Sequence, residues 1–488
     1  MLKRYKRLTG SYKLNDPIVI IGIFLIAAII SYVVAFGGIR YGIILMFTPI
    51  GLVFLNRLFS DPSIGLMATV IMAFFAIGIT RYVPGIPLGL SIDGLLALTF
   101  IAVFFKNFYT RLKPEAFYND LVFFMALWFL YSIGQLFNPE ALSRTAWFYA
   151  MRGLSLYCLL AVPLTFLLFN KYKHLNQFLY VWGAISIFGT FKGFLQLYIG
   201  PDYAEQRWLN EVGAITHILF GELRVFSFYS DAGQFGAAQA AAGIVGIIVA
   251  LNVKSTRDKI FFWIMGLSGL YGMMISGTRG AIIVPAIGAM VYLIHRKNVQ
   301  VIVSGTMVMI LVYVFFKFTF IGQNVAQIRR MRTAFRPEED ASLQVRLENR
   351  RILSVYLATR PFGGGIGSAG DWGQRFSPNG FLANIATDSW YVQIWAEQGI
   401  IGLTLHLLIL AYIFVKGSYL IMFKVDDPEL RGKLSAVLAG FAGIMGSSYG
   451  NGVLGQIPTG ILTYVSWAFV FMGPILDRDI KSLLTSKS

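Results

Sequence analysis

The apolar residues of this chain come in long unbroken blocks, and block length is what most limits its fold. Blocks of roughly 17–23 apolar residues match the helix length that crosses a bilayer. Within a bilayer every backbone amide needs a partner inside the structure, which a helix supplies from its own segment. Composition agrees: 56% of the residues are hydrophobic and 13% charged, with a mean hydropathy of +0.66. Soluble domains carry about 25% charged residues. An ordinary soluble enzyme is therefore excluded, and so is disorder, which needs low hydrophobicity. The expected fold is all-α, a polytopic transmembrane helical bundle of about 12–14 spans with one long extracytoplasmic loop that contains a helix.

Fourteen candidate spans are read, near 17–36, 40–57, 63–80, 88–105, 120–137, 151–169, 178–199, 232–252, 260–276, 280–295, 299–321, 389–423, 434–450 and 455–475. They divide the chain into a basic tail (1–16), spans one to eleven (17–321) with an outer loop near 200–231, a large loop (322–388), the last three spans (389–476) and a second tail (477–488). The block 389–423 is too long for one upright span, so part of it is expected to tilt or lie at the interface. The start, MLKRYKRLTGSYK, lacks a small-residue cleavage site and reads as a cytoplasmic tail.

Placing the N-terminus inside and alternating puts fourteen lysines and eight arginines on the inside and sixteen arginines but no lysine on the outside. Lys192, Lys317 and Lys416 fall in or beside spans. The short outer loops are poor in charge, as the positive-inside rule requires, so both termini are expected in the cytoplasm. The net charge of +17 then reflects membrane topology and not nucleic-acid binding. An outer surface whose cations are all arginine is suited to phosphate or carboxylate, because the guanidinium is a planar fork of donors.

Segment 322–388 is the one long hydrophilic stretch between spans. Its part 342–359 has no Gly or Pro, and Leu343, Leu347, Ser354 and Leu357 fall close to one helical face. Arg346 and Arg350 lie one turn apart and are expected to point together. Asp340 or Ser342 is the expected cap, and Pro361 the stop. Arg329, Arg330, Arg332 and Arg336 precede this helix as a basic cluster. The glycines of 363–367 follow it and permit either a tight connector or a turn that offers amides to an anion. They lack the strand context of a dinucleotide fingerprint and the G-K-[ST] of a phosphate-binding loop.

Three further stretches stand out. SGTRG at 276–280 reverses the chain between two apolar runs and leaves Arg279 at the outer end of the bundle, where an arginine usually has a partner. LRVFSFYSDAG at 223–233 carries Arg224 about two turns before a span, and Asp231 is a natural cap for that span. His217 in the same loop reads as a surface histidine or, less simply, an acid–base group. In 387–402, Asp388 faces the arginine-rich loop as a cap or as a general base, a role that would need burial to make the carboxylate basic. Trp390 and Tyr391 fit an interfacial belt or a platform for a sugar ring. The single cysteine, Cys158, reads as a buried apolar residue. The four histidines are widely spaced, and no metal or other cofactor is expected.

Taken together, SGTRG at 276–280, RPFGGGIGSAG at 360–370, DSWYVQIWAEQGIIGL at 388–403 and LRVFSFYSDAGQFGA at 223–237 resemble the O-antigen ligase and O-antigen polymerase superfamily. The resemblance covers roughly 220–410; the N-terminal half is similar only in hydropathy. It implies a multi-pass protein of the bacterial cytoplasmic (inner) membrane with its active site on the periplasmic or outer side. It implies a metal-independent glycosyltransferase of polysaccharide biosynthesis. The partners it implies are an undecaprenyl-pyrophosphate-linked oligosaccharide, a glycan acceptor, membrane lipid, and a chain-length regulator or flippase. Arg224 and Arg279 fall where relatives place pyrophosphate-binding arginines, and Arg346 where the loop often carries another. Arg350, Arg360, Trp390 and Tyr391 complete the expected substrate-binding set, with Asp388, Arg279 and Arg224 as the catalytic set. Relatives often carry His-Asn where this chain has Asp388 and Ser389. That departure favours an inverting O-antigen or exopolysaccharide polymerase over a ligase that transfers to a lipid A core or protein. A lipid-linked glycan flippase, with Asp93, Lys192 and Lys317 along a pathway, and a scaffold subunit are the readings from other classes.

Overall fold

The computed structural model describes residues 17–83, 85, 88–109, 118–219, 221–335 and 341–485. The chain divides into two compact units, 1–64 and 65–488. In the first, α1 (Pro17–Gly37) and α2 (Ile39–Ser60) are apolar helices joined at Gly38. The predicted tail 1–16 and the predicted cap Asp340 lie outside the described residues.

The second unit is almost wholly helical. It runs through α3 (Ser63–Thr80), α4 (Leu90–Tyr109), α5 (Asp120–Gly134), α6 (Arg144–Met151), α7 (Tyr157–Leu168), α8 (Tyr172–Tyr198), α9 (Tyr203–Trp208) and α10 (Ala214–His217). A minimal hairpin of β1 (Ile218–Leu219) and β2 (Glu222–Leu223) leads into α11 (Ala232–Asn252) and α12 (Thr256–Ile275). Then come α13 (Ile283–Arg296), α14 (Val299–Phe318), α15 (Ala326–Arg332), α16 (Ala341–Leu357) and α17 (Gly370–Phe376). The chain closes with α18 (Trp390–Phe423), α19 (Pro428–Ser447), α20 (Thr459–Phe471) and α21 (Gly473–Thr485).

Each of the fourteen predicted spans falls on a helix. Nine described helices are long and apolar enough to cross a bilayer, and the pair α20–α21, bent by 63°, would make ten. The protein is a polytopic all-α membrane protein.

Helix packing in lipid gains little from hydrophobicity and relies on close backbone approach. The α11–α12 contact shows this. A Cβ on Gly246 would lie 2.6 Å from the Gly266 nitrogen, and one on Gly269 would lie 2.6 Å from the Gly243 nitrogen. Buried polar side chains add bonds between helices: Gln239 donates to the Ser186 carbonyl (3.0 Å), and Thr190 donates to Gln239 (3.1 Å). Accordingly α11 is the central helix, with 89% of its apolar window buried, whereas α14 has none buried.

The long block at 389–423 is one helix broken at Gly399, where φ is 66° and ψ −168°. A nine-residue arm thus precedes a span of ordinary length. The segment 200–231, expected as a loop, is instead compact structure: α9, a π turn at Leu209–Gly213, α10 and the hairpin.

Candidate functional site

One end of the second unit carries the 200–231 and 322–388 segments, and the marked arginines gather there. Arg224 leaves the hairpin and is half-buried. It donates to the Thr216 carbonyl (3.1 Å) and to the Thr278 hydroxyl (3.2 Å), while its Nε is buried without a partner. Thr278 itself donates to the Ala232 carbonyl (2.8 Å), so the SGTRG turn is tied to the start of α11. Asp231 caps α11 by accepting from the Gln234 amide (2.9 Å). Burial, with Arg330 and Arg279 close by, pushes the Arg224 guanidinium down to about 10. Arg279 stands one residue beyond Thr278, and its Nη1 lies 3.5 Å from the Thr333 hydroxyl.

The third arginine in this cluster comes from α15. Arg330 lies over Gly277, whose φ of +60° reverses the chain. A Cβ at Gly277 would sit 3.2 Å from the Arg330 Cδ and 3.4 Å from its Nη1. Burial and the neighbouring Arg279 lower the Arg330 guanidinium, against a weaker pull from Glu222. Among the described residues, neither Arg224 nor Arg330 has a carboxylate at ion-pair distance. Like charges held together in a half-buried place repel strongly.

Sequence reasoning missed the support beneath this cluster. Arg81, 5% exposed, donates to the carbonyls of Ser227 (2.9 Å), Ser230 (3.1 Å) and Tyr229. Its guanidinium lies 4.5 Å from both the Trp208 and the Phe226 rings. Gln196 accepts from the Ser227 amide (2.7 Å) and donates to the buried Glu205 (2.8 Å). The stretch between Arg224 and Asp231 is thereby held from below. His217 is not a surface residue: it is 4% exposed, packed on Trp208 and Phe226, with Nδ1 3.0 Å from the Gly213 carbonyl. Burial lowers its pKa.

A second group lies across the turn between α19 and α20. Arg346 Nε is 3.2 Å from Asp388. One turn on, Arg350 donates to the Tyr449 hydroxyl (2.6 Å) with its guanidinium 4.5 Å from that ring. The expected convergence of Arg346 and Arg350 is thus present. Asp388 does not cap α18; Ser389 holds that position, and Asp388 is exposed. The turn at 447–452 links both groups. Asn451 packs on Gly280, beside Arg279, and on Gly233, while the Ser448 and Asn451 carbonyls accept from the Trp390 amide (3.1 and 3.2 Å). This polar turn, SSYGNG, was read as the end of a span, and its Ser, Asn and Gly content was the available signal.

The other expected binders lie elsewhere. Trp390 is 7% exposed, its ring packed on Gly455 and its indole N–H on His406 (3.0 Å). Tyr391 donates to the Met445 carbonyl (2.8 Å). Trp390 belongs to helix packing, and Tyr391 is partly buried against the same core. Arg360 is tied to Glu140 (3.0 Å) and to the Tyr356 carbonyl (3.0 Å). A cavity of about 270 Å³, lined by Asn138, Ser143, Arg144 and Trp147, lies beside that pair and not at the arginine cluster. Arg336 lies outside the described residues.

The glycine run 363–367 is a connector. Its amides at Gly364 and Gly365 donate to the Ala396 and Glu397 carbonyls (2.9 and 2.8 Å). The Ala369 amide donates to the buried Glu397 carboxylate (3.3 Å). The amides of Gly364, Gly365 and Ala369 are therefore occupied within the chain. The run docks where α18 breaks, and a Cβ on Gly399 would collide with the Pro361 carbonyl at 2.0 Å. In α16 the buried residues are Leu353 and Leu357, whereas Leu347 is 47% exposed. The buried part of the described face thus lies toward the C-terminal end of α16, and the side chain of Leu343 lies outside the described residues. Ser342 falls inside α16 and not at its start.

Among the described residues no group of three or more His, Cys, Asp or Glu side chains is placed to hold a metal. Asp93 pairs with Arg152 (3.0 Å), and Lys192 with Asp202 and Glu205 (2.8 and 3.1 Å).

Residues 260–407 match the family model described as O-antigen ligase. That stretch is similar to the O-antigen ligase family. It contains Arg279, Arg330, Arg346, Arg350, Arg360 and Asp388; Arg224 and the 447–452 turn lie outside it. No curated protein matches the chain.

Proposed function

We propose that this protein is an inverting polymerase of lipid-linked glycan repeat units, working at the outer face of the bacterial cytoplasmic membrane. The observation that carries the reading is the half-buried cluster of Arg224, Arg279 and Arg330, with the Arg224 Nε left without an acceptor. A diphosphate would satisfy such forks and relieve their repulsion.

The donor is a glycan on undecaprenyl pyrophosphate. The acceptor hydroxyl of a second glycan attacks the anomeric carbon from the face opposite the diphosphate. The bond from that carbon to the diphosphate oxygen breaks, and the oxygen keeps the electron pair. Arg224 and Arg279 stabilise the charge that develops there, and their donors are set in place before reaction. Asp388, held by Arg346 beside the 447–452 turn, takes the acceptor proton once the forming bond to carbon has made that hydroxyl acidic, so its exposure does not bar the role. A single displacement inverts the anomeric centre. A chain-length regulator or flippase would act beside it.

The test is a gel profile of surface and lipid-linked glycans from cells with the gene deleted, restored, or restored as Arg224→Ala. Polymerase activity predicts collapse of a ladder to single repeat units on deletion, rescue by the wild type and no rescue by Arg224→Ala. Long chains retained on the lipid carrier would make it a ligase. An unchanged ladder would contradict both.

A further inference from the structure

Of the arginines in the 329–336 cluster that the structure describes, each has a different task. Arg329 faces Glu222 at 3.8 Å, with both side chains more than half exposed. Arg332 donates to the carbonyls of Phe315 (3.1 Å), Ile321 (2.6 Å) and Thr319, which close the C-terminus of α14. Arg330 alone turns to the SGTRG turn, where Gly277 leaves the room its side chain fills.

Its carrier is firmly seated. Met331 is fully buried, and the Arg332 bonds fasten α15 to α14. A Cβ at Gly322 would lie 2.7 Å from the Ile328 Cδ1, so that end of α15 is closely packed too. The half-buried Arg330 guanidinium is thus held near Arg224 and Arg279, although it forms no hydrogen bond with any described residue. Nothing in the fold itself accounts for a cation held there at the cost of desolvation and repulsion.

We infer that Arg330 is a third guanidinium of the diphosphate site and that it acts on the leaving group more than on the bound donor. This rests on the glycosyl-transfer reading above. In the donor, the diphosphate is esterified on both sides, by the lipid and by the sugar. When the bond to the anomeric carbon breaks, the diphosphate becomes a monoester and gains a negative charge on the released oxygen. The acceptor oxygen forms the new bond to carbon, and its proton goes to the base. Arg224 and Arg279 meet the diphosphate in the donor and the charge that develops on it, whereas Arg330 meets chiefly the added charge. A group that favours the transition state and product over the bound donor changes kcat and leaves KM nearly unchanged. Gly277 is its specificity partner, because a side chain there would displace the guanidinium.

The experiment uses the full-length protein purified in detergent, with undecaprenyl-pyrophosphate-linked glycan as donor and a second glycan as acceptor. Wild type, Arg330→Ala, Arg330→Lys, Gly277→Val and Arg329→Ala are compared for kcat, for KM of the donor and for inhibition by undecaprenyl pyrophosphate. Arg330→Ala is expected to lower kcat about 100-fold, the scale seen for one preorganised donor, with donor KM within about twofold. Inhibition by undecaprenyl pyrophosphate weakens about tenfold. Arg330→Lys recovers a minor part, since an ammonium lacks the fork. Gly277→Val follows Arg330→Ala, and Arg329→Ala stays within about twofold of wild type. Unchanged melting temperatures for the Arg330 variants show that the fold is intact. A raised KM at unchanged kcat would assign Arg330 to donor binding and overturn the inference. No change in either parameter would remove Arg330 from the reaction, while Arg224→Ala would still test the site itself. A wild-type protein that turns over no donor would overturn the parent reading and this inference with it.

Discussion

SGTRG at 276–280 and RPFGGGIG at 360–367 both pair an arginine with glycines at a chain reversal, yet the glycines make room for different things. At Gly277 the missing Cβ leaves space for the Arg330 side chain. At Gly363 the same absence leaves space for the backbone of Glu397, Gln398 and Gly399, with the nearest atom at 2.4 Å. The arginines differ in the same way. Arg360 meets Glu140. Arg279 stands in a cluster whose members repel one another. The first motif therefore gathers charge, and the second docks a broken helix. What occupies the place of the absent Cβ separates a binding turn from a structural one, where residue type alone does not.

Substitution should separate the two motifs. The largest effect on turnover is expected at the first: Arg224→Ala or Arg279→Ala lowers kcat about 10²–10³-fold in a purified transfer assay. Equal loss in Arg360→Ala would break the distinction. Asp388→Asn lowers kcat about 100-fold, at the low end for a general base because the carboxylate is exposed. Wild-type turnover in that variant would move the proton acceptor elsewhere. In the second motif the effect falls on stability. Gly363→Ala combines overpacking against rigid backbone with a positive φ of 73° and should cost about 1–3 kcal/mol, read as a lower melting temperature in detergent. Activity per folded molecule should stay near wild type. The smallest effect is expected for Arg360→Ala, whose half-exposed pair with Glu140 contributes about 0–1 kcal/mol; turnover should change less than about threefold.

Much of this was legible in sequence. Apolar block length placed every span on a helix, because a bilayer leaves the backbone few choices. The block at 389–423 is too long for one upright span and is expected to tilt or lie partly at the interface; the break at Gly399 is what the structure adds. Arg279 stands out because arginine is costly near membrane depth, and Arg224 because the resemblance places a pyrophosphate-binding arginine there. Other features depended on long-range packing. Arg81 lies nearly 150 positions from the carbonyls it holds, and no local pattern marks it. His217 reads as exposed because it lies in a segment between spans, while Trp208 and Phe226 bury it in space. Trp390 carried an aromatic signal that suits a sugar, but tertiary packing assigned it to Gly455 and His406. The glycine run at 363–367 satisfied the local rule for an anion cradle equally well. Only the carbonyls that take its amides decide the matter.

The central claim is that the Arg224 cluster holds a diphosphate. Its most direct test is the affinity of the purified protein for undecaprenyl pyrophosphate, in wild type and Arg224→Ala, with Arg360→Ala alongside. The account predicts at least about a tenfold loss, near 1.4 kcal/mol, in Arg224→Ala and none in Arg360→Ala. Equal affinity in all three proteins would contradict it.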